Sequence, residues 1–226
     1  MKQNPRFRGP SLLLLAIVHV LLFAANLAVA AALRQGTPYI NPFAPSEAIR
    51  AFFMQNPAAT RLGSFFLFGS AVPFGLFAVT TVSWLRCLNI RAAGVNIAFF
   101  GGLTAAFALI LSGLSGWILS QPDIAASAPL AKAICFFSFL SGGVAYAVGF
   151  GLLAAGVSVT TFFSHRLPRW VIALGMIVAI TGEFSSLSML AYPANFLIPI
   201  TRYLGFIWMM SVAVNLTGSR RAEQAL

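Results

Sequence analysis

Six long, mainly apolar stretches recur along this chain, parted by short polar turns, and they decide the solvent in which it folds. They cover residues 11–33, 61–85, 94–119, 129–163, 170–190 and 196–215. About 20 apolar residues as a helix span the hydrocarbon core of a bilayer. Over all 226 residues, 59% are hydrophobic and 8% are charged, against roughly a quarter charged in a soluble domain. So few charges cannot cover that much apolar surface in water. The expected fold is therefore an all-α integral membrane protein, a six-transmembrane-helix bundle forming one transmembrane domain over residues 1–226. The spans and their loops leave no length for a soluble domain.

The formal net charge is +10, which in a soluble protein would raise nucleic-acid binding first. Here the basic residues sit singly or in pairs at the ends of apolar runs. That distribution marks topology, and the expected partner is the lipid bilayer, not nucleic acid. One side of the membrane collects Lys2, Arg6, Arg8, Arg86, Arg91, Arg166, Arg169, Arg220 and Arg221. The other collects Arg34, Arg50, Arg61 and Lys132, with Arg202 inside the last span. The more basic side is expected to be cytoplasmic, with both termini there. Cys87 and Cys135 then fall toward opposite faces and are not expected to pair.

The first apolar run follows three basic residues and contains the small triplet Ala28-Val29-Ala30, which also fits a cleaved signal peptide. A signal's apolar core is usually 7–15 residues. This run is longer and carries His19 and Asn26, which favours a retained helix. The interval after it begins as a loop rich in Gly36, Pro38, Pro42 and Pro45. Ser46 can cap a short helix with Glu47 in its first turn, and Ile49, Phe52 and Phe53 would share one face. A short amphipathic helix in the first outer loop is expected, covering the bundle mouth or serving as a lid or partner surface. Pro73, flanked by Gly69 and Gly75, is expected to kink the second span. The fourth run is longer than a perpendicular crossing needs and implies tilt or extension past the lipid. Val79-Thr80-Thr81 and Val159-Thr160-Thr161 form a faint repeat near the ends of the second and fourth spans.

Glu183 is the most informative polar residue. A carboxylate within a span is costly and usually faces the bundle interior with a partner. At 1.5 Å per residue it sits ~20 Å from the inner end of the fifth span. Arg202 enters the sixth span from the outer side at similar depth, and the short turn between them makes the two helices antiparallel neighbours. An intramembrane Glu183–Arg202 ion pair is expected, with Ser185, Ser186, Ser188 and Tyr203 completing its hydrogen bonds. It would be either a clamp between helices or a site for a polar solute, ion or proton. His19 lies ~12 Å into the first span, with Asn26 two turns further on the same face. The only other histidine, His165, is in a loop, so bis-histidine haem is rejected. No cofactor is implied, and no spacing of Cys, His, Asp or Glu suits a metal. Gly143, Ala147, Gly151 and Ala155 recur every four residues and are expected to let helices pack closely.

Three segments carry a resemblance: Arg61-Leu-Gly-Ser-Phe-Phe-Leu-Phe-Gly-Ser70, Arg166-Leu-Pro-Arg-Trp-Val-Ile-Ala-Leu-Gly175 and Gly205-Phe-Ile-Trp208. In them the chain resembles the uncharacterised bacterial multi-pass proteins catalogued as domain of unknown function 4386, over most of its length after residue 58. The resemblance implies a bacterial inner-membrane helical bundle and brings no reaction, substrate or catalytic residues. Acid and base residues are too few to favour an enzyme. The expected roles are a structural, accessory or partner-binding protein, with a membrane-protein partner or a second copy, or alternatively a transporter of a small solute or ion using Glu183 and Arg202.

Overall fold

In a computed structural model of the chain, the described residues are 9–224 for the backbone and 9–216 for side chains. Lys2, Arg6 and Arg8, and the side chains of Arg220 and Arg221, lie outside them. The described residues are helical with no strand. The order is α1 (Leu12–Leu33), α2 (Ser46–Gln55), α3 (Pro57–Cys87), α4 (Ala93–Leu119), α5 (Pro122–Ala126) and α6 (Ala128–Phe139). A π-helical turn (Leu140–Ala145), α7 (Tyr146–Ser164), α8 (Arg169–Phe184), two 3-10 turns (Ser185–Met189 and Tyr192–Phe196) and α9 (Leu197–Gln224) follow.

Six of these segments are long and apolar enough to cross a bilayer: Leu12–Leu33, Pro57–Cys87, Ala93–Leu119, Ala128–Ser164, Arg169–Met189 and Tyr192–Leu216. Their outward faces carry large apolar side chains such as Leu21, Phe65, Phe100, Phe107 and Phe163. Their buried faces carry many hydroxyls, among them Ser70, Thr81, Ser158, Thr161 and Thr201. Large apolar groups outside and small polar groups inside suit lipid as the solvent, and the chain is a multi-pass membrane protein.

Local chemistry sets where the helices stop and bend. The second span starts at Pro57 rather than Arg61. Proline is pre-shaped for the first helical position, where its missing N–H costs nothing. Both α3 and α7 are followed within two residues by one with left-handed backbone, Asn89 (φ 59°) and His165 (φ 51°). Ile90 and Arg166 then donate their N–H groups back to Leu85 and Thr161, and Asn89 and His165 donate to Arg86 and Phe162. This is the Schellman closure of a helix C-terminus. The fourth span is interrupted by the π-helical turn, which inserts an extra residue. The C-terminal end of the fifth span tightens into a 3-10 turn where a helix to residue 190 was expected. There Ser185 and Ser186 hydroxyls bond the carbonyls three residues back, Gly182 and Glu183, both at 2.6 Å.

The chain divides into two compact units, one of Met1–Val18, Pro73–Ala105 and Ala147–Leu226, the other of His19–Val72 and Ala106–Tyr146. In the first, Phe74, Phe150 and Trp208 form a row of edge-on rings with centroids 5.1 and 6.1 Å apart. Glycines let the backbones meet around that row. Gly101 and Gly149 close α4 on α7, and Gly205 lies under the Phe150 ring. In the second unit, Gly113 of α4 packs on the Phe68 backbone of α3, and Ser112 donates to the Ser138 carbonyl at 3.0 Å. The helix α2 buries Ile49, Phe52 and Phe53 against Leu119, Ala125, Ala131 and Cys135. Cys135 is buried and Cys87 exposed, and both are free.

Candidate functional site

The polar residues of α8 and α9 take their directions from the backbone packing around them. Thr201 of α9 donates its hydroxyl to Thr181 Oγ1 of α8 at 2.9 Å and also bonds its own Leu197 carbonyl at 3.0 Å. Thr181 therefore marks the side of α8 that faces α9. One residue on, Gly182 meets α7: a Cβ there would stand 2.6 Å from the Ala147 carbonyl and 2.8 Å from Gly151 Cα. Each residue turns the helix by about 100°. Two residues past Thr181, Glu183 is thus on the flank farthest from α9, and it is exposed.

This corrects the expected Glu183–Arg202 clamp. Thr181 and Thr201 do bring the two residues to one level, as the count of rise implied. Their azimuths differ. Arg202 is half-buried, one residue round from Thr201. It lies within about 60° of Gly205, whose own position is against Phe150 of α7. Glu183 points the other way, and among the described residues the ion pair is Glu47–Arg50 at 2.8 Å, with Glu183 in none. Ser185 is buried and Ser186 exposed, and each hydroxyl is taken by its own helix instead of by Glu183 or Arg202. Tyr203 is exposed and Ser188 is buried with an unbonded hydroxyl.

The face around Glu183 is otherwise apolar. Ile177, Ile180, Phe184 and Leu187 are exposed along the same side of the fifth span. A single carboxylate therefore stands at the edge of a lipid-facing surface. Such a group can accept hydrogen bonds from, or pair with, a donor brought from outside the chain.

On α1, His19 is fully buried and its Nδ1 donates to the Ser70 carbonyl of α3 at 2.8 Å. That carbonyl follows Gly69, whose usual helical donor is lost to Pro73. The imidazole thus holds α1 to the weakened stretch of α3. Asn26 is half-buried seven residues on, with its Oδ1 3.0 Å from where a Cβ of Gly63 would stand. The two residues share a face, and that face is α3.

The small-residue stripe does not run as one line. Ala147 and Gly151 receive Gly182 of α8. Gly143 lies in the π-helical turn and is buried there, so the inserted residue rotates it off their line, while Ala155 is half-buried. The stripe at spacing four also missed a second one at spacing seven. Gly149 and Gly156 meet α4 at Ala105 and Ala98, and the signal was the glycine repeat itself. Among the described residues no group of three or more His, Cys, Asp or Glu comes together to hold a metal. Comparison with known proteins finds no matching family model, no similar curated protein and no similar solved structure.

Proposed function

We propose that this protein is an accessory or adaptor component of a bacterial inner membrane that works by binding another transmembrane helix along the outer face of α8. The observation carrying the reading is the exposed Glu183 within a membrane span. A charged side chain at the centre of a bilayer costs about 2.5–3.5 kcal/mol on insertion scales, and the cost falls when a donor meets it. The partner is a helix with a lysine or arginine in its outer half, opposite Glu183. The apolar strip of Ile177, Ile180, Phe184 and Leu187 supplies the packing surface on either side.

The outward azimuth of Glu183 supports this reading over transport through a Glu183–Arg202 site. In the proposed arrangement both termini are cytoplasmic, α1 is retained, and α2 lies at the outer surface as a cover over α5 and α6. The resemblance to domain of unknown function 4386 fits the same setting.

The test uses synthetic leucine-rich transmembrane helices, one all leucine and one with a single lysine in its outer half, and fluorescence energy transfer in lipid vesicles. Interhelical polar contacts in membranes contribute about 0.6–2 kcal/mol, so the lysine helix should bind roughly 3- to 30-fold tighter. Glu183→Leu should remove that preference. Equal binding of the two helices, or a preference that survives Glu183→Leu, overturns the reading. Self-association of the chain that Glu183→Leu abolishes would make the partner a second copy. Proton or solute flux lost in Glu183→Gln would favour transport.

A further inference from the structure

A second concentration of unspent polarity lies at the turn between α3 and α4. The Schellman closure at Leu85–Ile90 satisfies the last carbonyls of α3 with the chain's own N–H groups. The side chains of the turn are therefore not needed for capping. Arg86 is fixed: its Nη2 donates to Asn96 Oδ1 in the first turn of α4 at 3.1 Å, and its guanidinium stands 5.9 Å from the Phe99 ring centre. One of its five N–H groups is thereby used and the fork is held in place. Arg91 is exposed.

Between them is a cavity of about 400 Å³ lined by Arg86, Asn89, Arg91 and Asn96, with Ile90 and Val95 among its apolar walls. Its size is that of a small-ligand site, about 300–1,000 Å³. Its lining holds two guanidinium groups, two carboxamides and no carboxylate. The acids whose side chains are described are elsewhere: Glu47 is paired with Arg50, Asp123 opens α5, and Glu183 is in α8. The N-terminus of α4 at Ala93 adds a favourable partial charge to the same edge. Two guanidinium groups in one lining suit an oxyanion, since arginine binds phosphate through paired N–H groups.

We infer that this cavity is a phosphate-binding site at the membrane surface, taking either the phosphate of an anionic lipid headgroup or free phosphate. At the ends of two spans, lipid phosphate is the anion present at highest local concentration, and basic pockets between spans bind such headgroups.

Native mass spectrometry of the full chain in detergent, titrated with phosphatidylglycerol and with phosphatidylcholine, reads the lipid source; isothermal titration with inorganic phosphate reads the other. One phosphatidylglycerol should bind at least about tenfold tighter than phosphatidylcholine. Arg86→Gln with Arg91→Gln should abolish the difference, and Arg166→Gln with Arg169→Gln, which removes the same charge at another turn, should keep it. Arg91→Gln alone, at an exposed position, should fold and still weaken binding several-fold. One-to-one phosphate binding with the same variant dependence, and no lipid preference, supports the site with free phosphate as its source. The inference is overturned if both double variants lose affinity equally, if Arg91→Gln changes nothing, or if neither probe binds saturably.

Discussion

The contact between α7 and α8 gives a prediction whose sign runs against ordinary helix chemistry. Replacing glycine by alanine inside a helix normally stabilises it by up to about 1 kcal/mol. At Gly182 the new Cβ would stand 2.6 Å from the Ala147 carbonyl oxygen and 2.8 Å from Gly151 Cα. Ordinary contact begins at 3.4 Å, so α7 and α8 must part by about 0.8 Å. Both obstructing atoms are backbone, so no side chain can swing aside to relieve them. Overpacking of this kind costs about 1–3 kcal/mol, which leaves Gly182→Ala neutral to about 2 kcal/mol less stable than the parent. Gly69→Ala is the control: its nearest neighbour is the end of the Leu22 side chain at 3.8 Å. There the helical gain should appear, and the two variants should differ by about 1–3 kcal/mol. Reversible unfolding in bicelles, measured for parent, Gly182→Ala and Gly69→Ala under one condition, reads the difference. If Gly182→Ala gains as much stability as Gly69→Ala, α7 and α8 do not meet at these glycines.

Three further outcomes concern side-chain placement. In a double-mutant cycle with Glu183→Gln and Arg202→Leu, the coupling energy should stay below about 0.5 kcal/mol, the level of independent sites. A coupling above about 1 kcal/mol would show that the two side chains meet. Maleimide should modify exposed Cys87 readily in the folded protein and leave buried Cys135 protected. Phe53→Ala removes a buried anchor of α2 beside Cys135 and should speed labelling of Cys135 while leaving Cys87 unchanged; equal protection in parent and variant would refute the packing of α2.

The spans were legible because bilayer thickness imposes length and lipid imposes apolarity, and both are written in the order of residues. Depth was legible for the same reason: a fixed rise per residue puts Glu183 and Arg202 at one level, where Thr181 and Thr201 meet. Azimuth was not. A helix that is apolar all round has no amphipathic stripe to orient it, so nothing in hydrophobicity says which side of α8 faces the bundle. Shape carries that information instead. Gly175, Ala179 and Gly182 are buried at spacings of four and three, and small residues are what membrane helices put at their contacts. Taken as the packing face, they put Glu183 on its outer edge from the sequence alone. The π-helical turn was illegible for a different reason: one inserted residue leaves the composition unchanged and only its hydrogen bonding reveals it.

The interior argues with the exterior about where this protein does its work. Several buried hydroxyls in the described spans are spent on their own helices: Ser70 on Leu67, Thr160 on Gly156, Thr161 on Val157 and Ser185 on Gly182. Such bonds satisfy a polar atom without offering it to a passing solute. His19 is committed to the Ser70 carbonyl. A transport route would need the reverse, polar atoms aimed into a shared path and able to exchange partners. Ser158, Ser188 and Trp208 each keep a buried polar atom without a hydrogen bond inside the spans, while the carboxylate on the flank of α8 and the two guanidinium groups of the α3–α4 turn are open at the periphery. One suits a helix and the other suits an oxyanion. The proposed docking of a helix and the proposed phosphate site use these two groups, and neither proposal requires anything to pass through the bundle.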